Sequence, residues 1–161
     1  TFERFVQAEI LESVLVSANQ RFHTMSNGRY HLQRAVGAND GRRQAGLDLE
    51  VMDAHTGAPR PVSTLSGGEG FEAALALALG LADTVQAQSG GIQLDAIFVD
   101  EGFGSLGGQD LDAVIQALQA LQDSGRLVGV ISHVGELSER IPARLEVIKG
   151  RTGSHTRFVV P

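Results

Sequence analysis

Leu94-Asp95-Ala96-Ile97-Phe98-Val99-Asp100-Glu101 decides the fold class. From Ala96 to Val99 it is a continuous apolar run, which predicts a strand buried on both faces of a sheet. The run ends in two carboxylates. Ligands of open α/β sheets bind beyond the carboxyl ends of the strands, so Asp100 and Glu101 stand where chemistry is expected. Asp100 offers hard oxygen suited to Mg²⁺, directly or through water. Glu101 would point to the other side and could polarise an attacking water. The plainer reading is an exposed acidic turn closing a strand, and Gly102-Phe103-Gly104 gives it weight.

Downstream, Asp110 to Gln122 reads as a helix with Leu111, Val114, Ile115, Leu118 and Leu121 on its inner side. Leu127 to Ile131 is a second apolar run and a second buried strand. Strand, helix and strand in succession predict a parallel sheet. Two or three parallel strands make a poor sheet alone, so further strands are expected from another chain segment. Ser132-His133 follows the second strand directly. His133 could hydrogen-bond a phosphate or the attacking water, although a lone His at a strand end is more often a loop residue. Gly135 to Arg140 reads as a short helix stopped near Pro142. Leu145 to Ile148 and Arg157 to Val160 read as a closing hairpin.

Upstream, Phe71 to Gln88 is an Ala/Leu-rich helix entered through Ser66-Gly67-Gly68-Glu69. One reading is a capping box, in which Ser66 caps the helix and Glu69 reaches back. It leaves the glycines unexplained, since each costs up to ~1 kcal/mol relative to Ala in a first helical turn. The second reading explains them: exposed N–H groups at a helix start make an anion site that backbone can approach closely. Ser105-Leu106-Gly107-Gly108 reads either as a helix-entry loop with Asp110 as cap or as a segment that crosses to a second subunit.

At the start, Phe5, Val6, Ile10, Val14, Ala18 and Phe22 recur at helical spacing, so Phe2 to Met25 reads as one amphipathic helix, ended by Ser26-Asn27-Gly28. It opens without a cap signal, which suggests a piece of a longer protein. Arg29 to Ala35 and Leu47 to Asp53 look like strands joined by the loop Gly37 to Gly46, and His55 to Pro61 like a loop.

Composition bounds the rest. The chain has 161 residues, 42% of them apolar, which is enough for a packed core. Its formal net charge of −6 argues against a broad basic nucleic-acid surface, although Arg42 and Arg43 are a local candidate for phosphate contact. Cysteine is absent, so neither a disulfide framework nor a cysteine-based zinc site exists within the chain. No apolar run is long enough to span a bilayer. A soluble, cytoplasmic protein is expected. No G-x-x-x-x-G-K-[ST] loop appears, so a metal carboxylate and a candidate base stand without a phosphate cradle.

Taken in order, these pieces resemble an ATPase family. Leu65-Ser66-Gly67-Gly68-Glu69 resembles the ABC signature, Ala96 to Glu101 resembles Walker B with its catalytic Glu, Ser105-Leu106 the start of a D-loop, and His133 the switch histidine. The wording of Thr64 to Glu72, Asp100 to Leu106 and Gly129 to Val134 is similar to the SbcC branch of SMC-like DNA-repair ATPases. The resemblance runs from about Phe2 to the C-terminus.

That resemblance implies an α/β fold: the C-terminal lobe of an ABC-type head, a mostly parallel sheet with flanking helices. Residues 1–25 would be the base of a returning coiled-coil helix and residues 26–161 the half-head. It implies ATP and Mg²⁺ as cofactors, with zinc only at a hook outside this segment. Asp100 would hold the metal, Glu101 and His133 would be catalytic, and Ser66, Gly67, Gly68, Glu69 and Ser105 would contact nucleotide. Implied partners are the N-terminal half of the same head with its Walker A loop, a second head in an ATP sandwich, an SbcD-type nuclease and DNA. No membrane is implied; the location would be cytoplasmic and nucleoid-associated. The alternative is an SMC-like or RecN-like DNA clamp using ATP for gating. One departure stands out: Gly107 replaces the usual D-loop Asp, and Asp110 or Asp112 is the candidate substitute.

Overall fold

The computed structural model describes residues 2–35, 48–90 and 94–161. The expected loop from Gly37 to Gly46, with Arg42 and Arg43, lies outside the described residues.

Helix α1 (Phe2–Met25) has the expected bounds. It stops where Asn27 and Gly28 turn to positive φ, with the Gly28 amide on the His23 carbonyl at 2.7 Å. This is the left-handed exit that Gly and Asn allow. Val14, Leu15, Ala18, Phe22 and Met25 are buried and form the stripe facing the core. Helix α2 (Gly67–Gln88) packs on that stripe. The two backbones meet at Gly80, where an added Cβ would lie 2.6 Å from the Val14 carbonyl oxygen and 2.8 Å from the Ala18 nitrogen. A glycine inside this helix costs local helix stability, and the close crossing is what requires it.

Strands β1 (Tyr30–Arg34), β2 (Leu49–Asp53) and β3 (Ala58–Pro61) form an antiparallel sheet, with Leu32 opposite Val51 and Met52 opposite Pro59. The loop expected over His55 to Pro61 therefore contains a strand. Its two prolines are tolerated because β3 is an edge, where missing amides break no inner ladder. Buried Asn19 of α1 ties the helix to this sheet. Its side-chain amide donates to the Leu32 carbonyl at 2.8 Å and accepts from the Leu32 amide at 2.7 Å, as a neighbouring strand would.

The α/β part consists of β4 (Ala96–Asp100), α3 (Gly108–Asp123) and β5 (Leu127–Ile131). The strands pair in parallel, from Ala96 opposite Leu127 to Asp100 opposite Ile131. Both were expected to be buried on both faces, and only one face is. Ile97, Val99, Val128 and Val130 pack on the core, while Phe98, Leu127 and Ile131 are 66%, 63% and 54% exposed. Among the described residues, none covers the outer face.

Helix α4 (Gly135–Arg140) and the hairpin β6 (Arg144–Gly150) and β7 (Gly153–Val159) follow in the expected order, with longer strands than expected. Among the described residues the parallel sheet has two strands, and the other two sheets are antiparallel. No described helix is long and apolar enough to cross a membrane.

Candidate functional site

The carboxyl edge of the parallel pair gathers three of the expected residues. Asp100 ends β4 on its solvent-facing side, the face that also carries Phe98. Glu101 takes φ +61, a left-handed conformation that costs a non-glycine residue about 1–3 kcal/mol and persists only where surroundings enforce it. Two contacts enforce it here. Its amide donates to the Ile131 carbonyl at 2.9 Å, and its carboxylate holds His133 Nδ1 at 2.9 Å. Both side chains remain open, Glu101 51% and His133 79% exposed. A carboxylate and an imidazole are thus paired, oriented and accessible on the same edge as Asp100.

The segment expected to face phosphate forms the capping box of its first reading and leaves amides open at the helix start. Helix α2 begins at Gly67, earlier than the expected Phe71, with Ser66 as N-cap. Ser66 Oγ accepts from the Glu69 amide at 3.3 Å and Glu69 Oε2 accepts from the Ser66 amide at 2.8 Å, closing the capping box. Gly67 and Gly68 occupy the first two helical positions, so their amides have no intrahelical carbonyl to donate to. Side chains there would press tightly on the turn after Glu101. A Cβ on Gly68 would sit 3.0 Å from the Ser105 carbonyl oxygen, and one on Gly67 3.3 Å from Ser105 Cβ. Ser105 itself donates to the Gly102 carbonyl at 3.0 Å.

Glu69 is committed inward. Its Oε1 accepts from Tyr30 Oη at 2.6 Å and meets Arg29 Nη1 at 3.4 Å. Burial tends to raise its pKa, but the bonds from Tyr30 and Ser66 and the nearby Arg29 charge outweigh this and hold it below the usual range. Tyr30 is pushed up to about 12, first by burial and then by Glu69. Arg29 and Arg60 flank the Tyr30 ring, and Arg29 grips buried Asp53 through two bonds of 3.2 and 3.0 Å. That grip, chiefly, holds Asp53 below the usual carboxylate range. Sequence reasoning missed this bracing of the signature helix by the antiparallel sheet, because nothing local announces that Tyr30 meets Glu69 across 39 positions or that Asp53 meets Arg29 across 24.

Asp110 is not the cap of α3; Gly107 is, without a side-chain bond. The Asp110 carboxylate instead turns back toward the signature, 3.8 Å from the Cβ position of Gly68 and 3.5 Å from that of Gly107. Asp112 pairs with Arg140 of α4. Of the two candidates for the absent D-loop Asp, Asp110 is the one beside the signature.

The SbcC/RAD50-like family with its Walker B motif matches residues 37–120, which include the signature, β4 and the turn after it. The SbcC subunit of the nuclease SbcCD from Vibrio cholerae is 53% identical over 99% of this chain. The chain belongs to the SbcC/RAD50-like family. The corresponding SbcCD nuclease subunit from Staphylococcus epidermidis is 49% identical over 98% of the chain, and the chain spans 16% of the length of each of these relatives. Solved structures agree on the fold. A chain from work on ATP-driven dimerization and DNA-stimulated activation of SMC ATPases superposes with a TM-score of 0.74, at 15% identity, over 97% of this chain and 89% of that one. The Smc head of Pyrococcus furiosus with an extended coiled coil gives 0.67, at 16% identity, over 93% and 35%. The expected ABC-type α/β class stands.

Within this SbcC/RAD50-like segment, Glu72 is a buried acid that sequence reasoning passed over. It lies one turn beyond Gly68 on α2, and its Oε1 has no hydrogen-bond partner among the described residues. Its position among the alanines and leucines of α2 was the available signal. Burial first, then Asp110 and Glu69, raise its pKa from 4.5 to about 7. The folded state therefore keeps a proton that the unfolded state gives up near 4.5. Stability falls as pH rises from about 4.5 to about 7, by up to roughly 3 kcal/mol. Glu72→Gln, neutral throughout, should flatten that part of the profile, read as the thermal midpoint of the complete head across the same window. A wild-type slope retained in the variant would assign the titration to another group.

Proposed function

We propose that this chain is the C-terminal half of an ATP-hydrolysing head in a DNA double-strand-break repair protein, and that its catalytic sites form between two heads. The observation that carries the reading is the separation of functions within the chain. Two carboxylates and an imidazole share one sheet edge, a helix start with two glycines lies beside them, and the sequence holds no Walker A loop. The open Gly67 and Gly68 amides and the Ser66 hydroxyl suit phosphate oxygens. The exposed carboxylate of Asp100 suits Mg²⁺. When bound, Mg²⁺ neutralises charge on the transferring phosphate.

On this reading Asp100 holds the metal, and Glu101 orients a water and accepts its proton. Glu101 engages His133 Nδ1, which leaves Nε2 as the ring nitrogen for a phosphate oxygen or the water. Ser66 and the glycine amides serve nucleotide held by the other head. Glu69 acts from behind by closing the capping box, and Ser105 sets the spacing between signature and catalytic turn. The N-terminal half carrying Walker A covers the outer face of β4 and β5. An SbcD-type nuclease and DNA ends or hairpins complete the assembly, in a cytoplasmic, nucleoid-associated setting. A purely structural DNA clamp is the weaker reading, because the curated relatives are named as parts of a nuclease.

Complementation between two defective heads tests the shared site. Complete heads bearing Ser66→Arg, or Glu101→Gln, should each be inactive alone. A mixed pair contains one site with an intact Glu101 and an intact facing Ser66, so mixing should restore up to about a quarter of wild-type turnover if heads pair at random. No restoration on mixing would sink the proposal.

A further inference from the structure

The turn that carries Glu101 is held by a side chain with no assigned role. Gly102, next in the chain, has φ +98, and its backbone lies against the ring of Phe71. A Cβ at Gly102 would stand 2.2 Å from Phe71 Cε2 and 2.3 Å from Cδ2. Contact that close leaves no room for a methyl group unless the Phe71 ring shifts, so the ring's present seat depends on glycine at 102. The same ring tilts at 60° on Phe103, centroids 5.1 Å apart, and Phe103 is buried in the core. Phe71 is thus fixed on one side and seals the backbone next to Glu101 on the other.

Phe71 belongs to the signature helix, five residues beyond Ser66. With Gly67 and Gly68 packed on Ser105, the start of α2 touches the catalytic turn at both of its ends. Of these contacts, only the one at Gly102 adjoins Glu101.

We infer that Phe71 is a positioning residue that sets the orientation of Glu101, linking the signature of one ATP site to the base of the other site in the same head. This rests on the function proposed above. Glu101 holds a left-handed backbone against an intrinsic cost; the Ile131 and His133 contacts hold the residue itself, and the Phe71 ring adds a third constraint at the adjoining residue. A base displaced by about 1 Å can lose about 100-fold in rate while the groups that bind nucleotide stay in place.

Three variants of the complete head test the link. Phe71→Leu keeps an apolar side chain in the core but withdraws the ring from Gly102. It should lower kcat by about 10-fold, with KM for ATP and ATP-dependent pairing of heads changed less than about twofold. Gly102→Ala places a methyl group in the ring and strains a backbone held at φ +98, so it should be slower still. Phe71→Ala/Gly102→Ala should be faster than Gly102→Ala alone, because the ring that the methyl meets is gone. Unchanged kcat in Phe71→Leu, loss of pairing in step with kcat, or a double variant as slow as the two single effects multiplied would each overturn the inference. Glu101→Gln is the control. If it leaves turnover intact, the failure belongs to the proposed function and not to Phe71.

Discussion

Glu101→Gln is expected to lower ATP turnover of the complete head by about 100-fold or more while leaving ATP-dependent pairing of heads in place. The change replaces a proton acceptor with an amide of the same shape. The amide oxygen can still take a hydrogen from His133 Nδ1, and the Glu101 amide bond to the Ile131 carbonyl is untouched. The left-handed backbone at this residue therefore persists, and so does the neighbouring Asp100. What disappears is the ability to accept a proton from water, and a positioned base typically contributes 100- to 10,000-fold. Phosphate release and size exclusion in the presence of ATP separate the two effects. Paired heads should accumulate because the step that dissolves them has slowed. Turnover within about threefold of wild type would move the base to another residue, His133 being the remaining candidate on this edge.

The elements and the site were legible to different depths, for physical reasons. Helix α1 was readable to the residue because its apolar spacing is long and its exit uses Asn27-Gly28, a signal with a conformational cause. The capping box was readable because Ser66 and Glu69 act three residues apart. Strand β3 was not, because Pro59 and Pro61 speak against a strand until an edge position is known, and edges are a tertiary property. The apolar runs of β4 and β5 correctly announced strands and overstated their burial. Periodicity reports how much burial a strand is built for, not which chain provides it. Asp100, Glu101 and His133 were placed together because parallel pairing brings consecutive strand ends to one edge. The seat of Phe71 on Gly102 and the bracing of Glu69 by Tyr30 and Arg29 join residues about 30 and 40 positions apart, which no local pattern encodes.

Adding the N-terminal half should raise the thermal midpoint of this chain by about 10–20 °C, and the chain alone should bind dyes that report exposed apolar surface. The expectation follows from the outer face of the parallel pair. Phe98 lies over Gly129, directly opposite in the register, with its ring atoms 2.4 and 2.5 Å from the Cβ position there. Leu127 and Ile131 flank that glycine on the same face, and all three side chains are more than half exposed. Full burial of such side chains from water is worth about 1.5–3 kcal/mol each, and since each is already a third to a half covered, covering the patch contributes roughly 3–5 kcal/mol before any cost of association. That is a large fraction of the stability of a typical domain, about 5–15 kcal/mol, so the patch weighs heavily on whether the chain holds together alone. The apolar face of the hairpin, with Val147 and Phe158 exposed, adds to the same demand. Phe98→Ser then separates a covering partner from a tolerated surface. It should leave the isolated chain little changed, because the ring is already in water, and should weaken assembly with the N-terminal half by at least about tenfold. A high cooperative melting transition for the chain alone, unmoved by the second half, would mean that this face is stable as it stands and that the missing strands are not needed.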